Sequence, residues 1–154
     1  MSIKTLSIDE FLGMAGQKLG TSDWVTLGQE RINEFADCTE DHQFIHIDQE
    51  NAAKTPFGGT IAHGFLTLSM LVKLCESGSV HPEGLVMGVN YGLNKVRILA
   101  PVRAGKRVRA HIELASIEQK DDNRFLTQQN ITVEIEGEDT PALYAEWLGM
   151  TIVA

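Results

Sequence analysis

The sequence predicts an α+β fold in which an antiparallel β-sheet wraps around one central, buried helix. The run FLTLSMLVKLC, residues 65–75, is apolar on nearly all sides, so a helix formed there has to be buried on most of its surface. Four long segments with the character of β-strands follow it. The 154 residues are a usual size for one domain, and no linker, repeat or low-complexity tract divides them. We therefore predict a single domain over residues 1–154.

The first half of the chain is predicted to be mainly helical. Ser7 and Glu10 have the spacing of a capping box ahead of a short helix that carries Phe11, Leu12 and Met14. A strand is expected around residues 24–25. Thr26 and Gln29 repeat the capping-box spacing before the helix GQERINEFADC, which should end near Cys38.

The segment TEDHQFIHID, residues 39–48, is too polar for a core helix and holds more histidine and carboxylate than a loop needs. We expect it to be irregular and functional. After it, Asp48 can cap a short polar helix that runs through Lys54. The breakers TPFGG then precede the apolar helix.

The second half is predicted to form four strands, over residues 85–99, 107–118, 124–136 and 142–153. In the second of these, Val108, Ala110 and Ile112 alternate with charged residues, which is the pattern of a half-buried antiparallel strand. Such a long-stranded meander after a buried helix is typical of the hot-dog arrangement, an α+β fold.

Composition excludes some classes of function. The net charge of −8 would repel a nucleic-acid backbone, although a local basic patch could still bind a smaller anion. No apolar stretch is long enough to suggest a membrane span, and the N-terminus has no secretory signal pattern, so we expect a cytoplasmic protein. Cys38 and Cys75 are expected to be reduced core thiols.

Asp41 and His46 are the candidate catalytic pair. A carboxylate and an imidazole that converge on one water can share the work of general base and general acid. The spacing alone is equally consistent with a turn residue and a satisfied polar histidine. The spacing of His42 and His46 also raises a metal site, but zinc proteases with two helical histidines have Glu where Gln43 stands, so we expect no metal.

The stretch GGTIAHG, residues 58–64, leads directly into the apolar helix. Glycines there would let a ligand approach the backbone, and free N–H groups would stabilise a thioester oxygen that gains negative charge. The alternative is that these glycines only shape a tight loop. His63 could cap the helix or make a loop contact, and Ser69 could bond to its own helix or reach the cavity. His81 and His111 are expected to be solvated.

FADCTEDHQFIHID followed by PFGGTIAHGFLTLSML resembles the MaoC-like, R-specific enoyl-CoA hydratase (hydratase 2) family, including its NodN-like branch. Asp41 matches the family's catalytic aspartate and His46 its catalytic histidine. Gly64 matches the glycine whose backbone N–H contacts the thioester carbonyl, and Ser69 falls where the family often has a helix serine. The resemblance continues through NYGLNKVRILAPVRAG, residues 90–105. Many members have Asn-Pro where this chain has Gln43 and Phe44.

The resemblance implies syn addition of water to a trans-2-enoyl-CoA, giving an R-3-hydroxyacyl-CoA, with no cofactor. Asp41 and His46 would hold the same water, the Gly64 N–H would contact the substrate carbonyl, and Ser69 and His63 are further candidates for substrate binding. The alternatives are a hot-dog thioesterase, which would hydrolyse the thioester, and a non-catalytic module that binds acyl thioesters.

Two predictions concern partners. We expect a homodimer, because a meander leaves sheet edges that need cover and hot-dog relatives pair into a continuous sheet. If the acyl carrier is CoA rather than a carrier protein, we expect its phosphates to meet a basic patch, for which a solvated strand face is the alternative. The patch is drawn from Lys95, Arg97, Arg103, Lys106, Arg107 and Arg109.

Overall fold

The computed structural model describes residues 4–154. Its elements, in chain order, are β1 Lys4–Leu6, α1 Ile8–Leu12, β2 Gln17–Thr21, β3 Val25–Thr26, α2 Gln29–Thr39, α3 Phe44–Ile47, α4 Gln49–Ala52, α5 Gly64–Ser69, α6 Leu71–Glu76, β4 Val80–Pro82, β5 Leu85–Ile98, β6 Arg107–Gln119, β7 Arg124–Ile135 and β8 Leu143–Val153. The four long strands lie within one residue of their predicted bounds.

A six-stranded antiparallel sheet forms the body of the molecule. Its order is β2-β6-β7-β8-β5, with β3 paired to β6 beside β2. Strands β6, β7 and β8 form the predicted meander, but β5 does not join it in chain order, because it pairs with β8 along the opposite edge. The short β1 and β4 pair separately and in parallel. Neither these two nor β2 was predicted, since none shows a strand pattern of its own.

The core lies between the sheet and the helices α5 and α6. The predicted alternation in β6 is confirmed, since its even-numbered residues Val108 to Leu114 are at most 2% exposed. Val108, Ala110 and Ile112 pack with inward residues of β7 and β8 against one face of the helices, which includes Leu66, Leu71 and Leu74, while Leu114 packs in a second cluster with Phe11 and Phe125. This arrangement is the predicted hot-dog fold.

The central helix differs from its prediction in two ways. It is divided at Met70 into α5 and α6, and it is not buried on all sides. Phe65 is 71% exposed and Val72 is 58% exposed, because the sheet covers only the opposite face of the helices. The prediction of burial on most of the surface was therefore wrong for this face.

Of the two predicted capping boxes, the first is confirmed and the second is wrong. Ser7 and Glu10 exchange hydrogen bonds at the start of α1. Helix α2 instead begins after Gly28, without any side-chain cap, and the Gln29 side chain points to other partners. The predicted cap at Asp48 is present, since its carboxylate accepts a hydrogen bond from the Asn51 N–H, 3.0 Å away.

The remaining predictions concern membrane-spanning helices and the two cysteines. Within residues 4–154, none of the helices has the length and apolar character required to cross a membrane. Cys75 is a buried thiol as predicted, and burial raises its pKa to about 12. Cys38 is exposed, so its assignment to the core was wrong.

Candidate active site

His46 lies in α3, a single helical turn within the segment that was predicted to be irregular. Its ring is buried, with 6% of the residue exposed. Nδ1 lies 2.7 Å from the carbonyl oxygen of Ile61. A carbonyl can only accept, so Nδ1 carries the proton and the lone pair is left on Nε2. Burial lowers the pKa of His46, which favours this neutral form.

Asp41 follows the end of α2, where Glu40 takes a left-handed conformation with φ of 61° and turns the chain. The Asp41 side chain is half exposed, and its Oδ1 accepts a long hydrogen bond of 3.3 Å from the Gln43 N–H. The carboxylate is thus partly open to solvent, whereas the imidazole of His46 is buried. Its negative charge raises the pKa of His46, but burial has the larger effect.

His63 lies behind this pair. It is only 2% exposed, and its ring stacks on that of His46 with 3.8 Å between centroids. Nε2 donates to the backbone carbonyl of Asp41 over 3.0 Å, while Nδ1 is buried without a hydrogen-bond partner among residues 4–154. The side chain does not cap α5. Of the two contacts considered for His63, the structure has the one to the loop.

Asp41, His46 and His63 each offer a donor atom, and these atoms lie within 4.8 Å of one another. They are the residues that could hold a cation. The rings of His46 and His63 are stacked, however, with 24° between their planes, so their lone pairs lie in nearly parallel planes. Two such nitrogens do not converge on one ion at about 2.1 Å. The geometry favours acid/base chemistry over metal binding.

The glycine loop, residues 58–64, runs beside α3 and is tied to it by a hydrogen bond from the Ile61 N–H to the Ile45 carbonyl, 3.0 Å long. Arg103 lies across this loop and donates from Nη1 to the Phe57 carbonyl over 2.8 Å. A Cβ on Gly59 would lie 2.5 Å from Arg103 Nη2. Glycine is therefore needed here for the close approach of the guanidinium group.

Gly64 begins α5 at the bottom of a cleft of about 260 Å³ that His46, Phe57, Thr67 and Ile98 also line. Within the described chain the Gly64 N–H donates to no backbone carbonyl. A Cβ at Gly64 would meet the Cδ1 atom of Ile98 at 2.5 Å. Gly64 thus lies in a narrow space that His46 also lines, and its N–H has no backbone partner among residues 4–154.

A larger cavity of about 390 Å³ lies elsewhere, along α6, and is lined by Phe11, Val72, Cys75, His81 and Trp147 among others. It contains neither Asp41 nor His46. We place the active site at the smaller cleft, because His46 and Gly64 line it and a carboxylate oxygen of Asp41 lies within 4.8 Å of a ring nitrogen of His46.

The structure does not bring Ser69 to this cleft. Its hydroxyl donates to the Phe65 carbonyl over 2.8 Å, which is the bond within its own helix that was considered for it. Of the two histidines expected to be solvated, His111 is on the surface and His81 is partly buried beside the larger cavity, where burial lowers its pKa.

The predicted basic patch divides into two groups. Lys106, Arg107 and Arg109 form ion pairs with Glu138, Glu136 and Glu134 respectively. Within residues 4–154, Lys95, Arg97 and Arg103 form no such pair. Only Arg103 of the six adjoins the glycine loop.

Gln29 and Thr60 are two residues of the site that the sequence reasoning missed. The Gln29 side chain donates to the His46 carbonyl and accepts from the Thr60 hydroxyl. The spacing of Gln29 from Thr26 was attributed to helix capping, and no local pattern marked Thr60. Both contacts join residues far apart in the sequence.

The chain is similar to known proteins over most of its length. The family model for the MaoC like domain matches residues 10–135. The chain belongs to the MaoC-like family. It is 46% identical to nodulation protein N of Rhizobium meliloti over 146 residues, covering 94% of this chain and 91% of that protein.

A second relative is 3-hydroxyacyl-thioester dehydratase Z of Mycobacterium tuberculosis, which is 48% identical over 140 residues, covering 91% of this chain and 92% of the relative. Among solved structures, the (R)-hydratase from A. caviae involved in PHA biosynthesis superposes with a TM-score of 0.71. It covers 88% of this chain and 94% of that one at 22% identity, and so bears on the fold. Within this family, the chain is a hydro-lyase of the hydratase/dehydratase type.

Proposed function

We propose that this protein is an R-specific hydratase of trans-2-enoyl thioesters, which also dehydrates R-3-hydroxyacyl thioesters in reverse. Asp41 and His46 are its acid/base pair, and the Gly64 N–H binds the thioester oxygen. The name of the Mycobacterium tuberculosis relative, a 3-hydroxyacyl-thioester dehydratase, agrees with this class of substrate.

The observation that carries the proposal is the distance between the two acid/base groups. A carboxylate oxygen of Asp41 and a ring nitrogen of His46 lie within 4.8 Å of each other. This is compatible with one water that bonds to both groups, since two hydrogen bonds of about 2.8 Å can span up to roughly 5.6 Å. A pair that held each other directly would leave no place for the reacting water.

In the proposed reaction the water oxygen attacks the β carbon while a base accepts its proton. The electron pair of the carbon–carbon double bond moves toward the thioester carbonyl, whose oxygen gains negative charge beside the Gly64 N–H. The α carbon then takes up a proton on the same face. One water is consumed, and no oxidant or cofactor is needed.

His46 is better prepared than Asp41 to accept the proton of the water. Its Nδ1–H is committed to the Ile61 carbonyl, so Nε2 carries a free lone pair, and burial keeps its pKa low. Asp41 would orient the water. The proton that His46 receives is then passed to the α carbon.

Other predicted site residues take different places in the proposal. His63 supports the pair from behind, since its buried ring leaves it little room to contact substrate. Ser69 stays a prediction without a role in the mechanism.

CoA stays the expected carrier, and Arg103 is the basic residue best located for its phosphates, because it adjoins the glycine loop without an acidic partner in the described chain. A cytoplasmic location also stays a prediction.

We further propose that a second copy of the chain covers β5. This strand is an open edge of the sheet, and nearly all of its 14 residues are exposed, including Val86, Val89 and Tyr91. A long, exposed, apolar edge is a site for strand pairing. Ile98, at the end of the same strand, contacts Gly64 in the cleft, so the interface would adjoin the active site.

Two measurements test the proposals. With a panel of trans-2-enoyl-CoA substrates, we expect hydration to R-3-hydroxyacyl-CoA and no release of thiol. Free CoA would instead indicate a thioesterase, and binding without turnover would indicate a non-catalytic module. Sedimentation at micromolar concentration should give a dimer that Val89→Glu dissociates, whereas a monomeric wild type would refute the pairing.

A further inference from the structure

We propose that Gln29 is a positioning residue, which fixes the imidazole of His46 through a closed circuit of hydrogen bonds with Thr60 and Ile61. This inference rests on the proposed function of His46. Gln29 itself lies behind the site and is not among the residues that line the cleft.

The amide of Gln29 is fully engaged. Its Nε2 donates to the His46 carbonyl over 2.7 Å and to Asn33 Oδ1 over 2.9 Å, and its Oε1 accepts from the Thr60 hydroxyl. The His46 carbonyl can only accept a hydrogen bond, which fixes the orientation of the amide. One side chain thus joins the helical turn of His46 to the glycine loop.

The circuit closes through the imidazole. Thr60 is followed by Ile61, whose carbonyl accepts from His46 Nδ1 over 2.7 Å. The main chain of His46 and the residue before Ile61 are therefore both bonded to Gln29, while the ring of His46 is bonded to Ile61. A shift of either segment would break at least one of these bonds.

This circuit matters because the bond to Ile61 determines what His46 can do. It holds the proton on Nδ1 and aims Nε2 toward the position proposed for the water. The stacked ring of His63 limits tilting of the imidazole but provides no directional bond to it. The distance between α3 and the glycine loop has to be held for the Nδ1 bond to persist, and Gln29 bridges that distance.

A general role in helix stability does not account for these contacts. Gln29 is the first residue of α2, but its side chain makes no capping bond, and Gly28 is the cap residue. Thr60 is 4% exposed, so its hydroxyl relies on a protein partner. Gln17 provides a matched comparison, because its Nε2 also donates to a backbone carbonyl, that of Gly13, at an exposed position remote from the cleft.

The test compares Gln29→Glu with Gln17→Glu in the full chain. Gln29→Glu keeps the size of the side chain and an oxygen for Thr60, but it removes the donor to His46 and places a carboxylate beside a carbonyl. We expect kcat for crotonyl-CoA hydration to fall by roughly tenfold to a hundredfold, as for other supporting hydrogen bonds, with KM within about twofold. Gln17→Glu should change neither parameter.

A second readout does not depend on turnover. The His46 Nδ1–H should give a protected proton resonance by NMR, assigned by its loss in His46→Gln. In Gln29→Glu and in Thr60→Val, this resonance should broaden or exchange rapidly, while in Gln17→Glu it should be unchanged. A role confined to the folding of α2 would lower stability without selective loss of this signal.

The outcomes separate the two proposals. If wild type lacks hydratase activity but Gln29→Glu loses the Nδ1–H signal, the proposed function fails and the positioning role stands. If a folded Gln29→Glu keeps both wild-type kcat and the protected proton, Gln29 does not position His46. Loss of kcat with the proton intact would also overturn the inference.

Discussion

Two of the places where a histidine and a carboxylate meet differ in what surrounds them. On the outer face of the sheet, His111 Nε2 lies 2.6 Å from Glu134 Oε2, and Arg109 Nε lies 2.7 Å from the same oxygen. At the cleft, the donor atoms of Asp41 and His46 are separate, within 4.8 Å. The outer pair is closer, yet we propose no chemistry for it.

The difference shows that proximity alone does not make an acid/base site. Glu134 is hydrogen-bonded to Arg109 and His111, which lower its pKa. The side chains of His111 and Glu134 are both partly open to solvent. His46 is buried, and among residues 4–154 only its Nδ1 is bonded, so Nε2 can act on a ligand. We therefore expect large effects from substitutions at the cleft pair and small effects from substitutions at the outer pair.

The largest effect is expected for the two members of the cleft pair. Asp41→Asn keeps the size of the side chain but removes the carboxylate that is proposed to orient the water, and His46→Gln removes the titrating ring. Each change should lower the rate of enoyl-CoA hydration by on the order of a hundredfold or more, the scale of a lost general acid or base. Circular dichroism checks that the variants are folded.

His63→Phe should have a smaller effect. Phenylalanine can keep the stacking on His46, but it cannot donate to the Asp41 carbonyl as Nε2 does. We expect kcat to fall by about tenfold, because the loop that carries Asp41 loses an anchor. Measurement of kcat and KM for the folded variant tests this role of His63. A large rise in KM with unchanged kcat would instead favour a direct contact with substrate.

The basic residues near the cleft should affect binding more than turnover. Replacing both Arg103 and Lys106 by Ala should raise KM for enoyl-CoA by roughly fivefold, equivalent to about 1 kcal/mol, and leave kcat nearly unchanged. Arg103 should account for most of this rise, because Lys106 is paired with Glu138, and Arg107→Ala, at a residue paired with Glu136, is the control. If all of these variants have the wild-type KM, the phosphates bind elsewhere.

The pKa of His46 provides a test of the electrostatics. Burial lowers it and the charge of Asp41 raises it, so the wild-type value should lie below 6.5 and the value in Asp41→Asn should be lower still. If neutral His46 is the base, kcat/KM should be lost only as the pH falls through this lowered pKa. NMR titration of the assigned imidazole measures both values, and an upward change in Asp41→Asn would contradict the arrangement.

The smallest effect is expected on the outer face of the sheet. His111→Gln and Glu134→Gln should each leave hydration within about twofold of wild type, and partly exposed ion pairs of this kind contribute at most about 1 kcal/mol to stability. Chemical denaturation and rate measurements check this. A hundredfold loss of activity in either variant would remove the distinction between the two pairs.

The sequence allowed prediction of those features that depend on local patterns. Alternation within Val108 to Leu114 indicated a strand with one buried face, and paired motifs indicated Asp41 and His46 as candidates. The position of β5 next to β8 could not be read in this way, because strand order depends on packing between distant segments. The bonds of Gln29 to residues 17 and 31 positions away were hidden for the same reason.

The exposed face of the central helix shows a further limit. An apolar run indicates that a surface will be buried, but it does not identify the segment or the chain that buries it. Phe65 and Val72 are apolar and exposed in the single chain, as is much of β5. A sequence pattern cannot distinguish burial by the sheet of the same chain from burial by the partner copy that we propose.

The central claim, that Asp41 and His46 act together on one water, is tested most directly by a double-mutant cycle. Hydration of crotonyl-CoA is measured for wild type, Asp41→Asn, His46→Gln and the double variant. If the two groups act as a unit, the double variant should be scarcely slower than the slower single variant, because such losses are strongly non-additive. Near wild-type hydration by either correctly folded single variant, or losses that multiply in the double variant, would contradict the account.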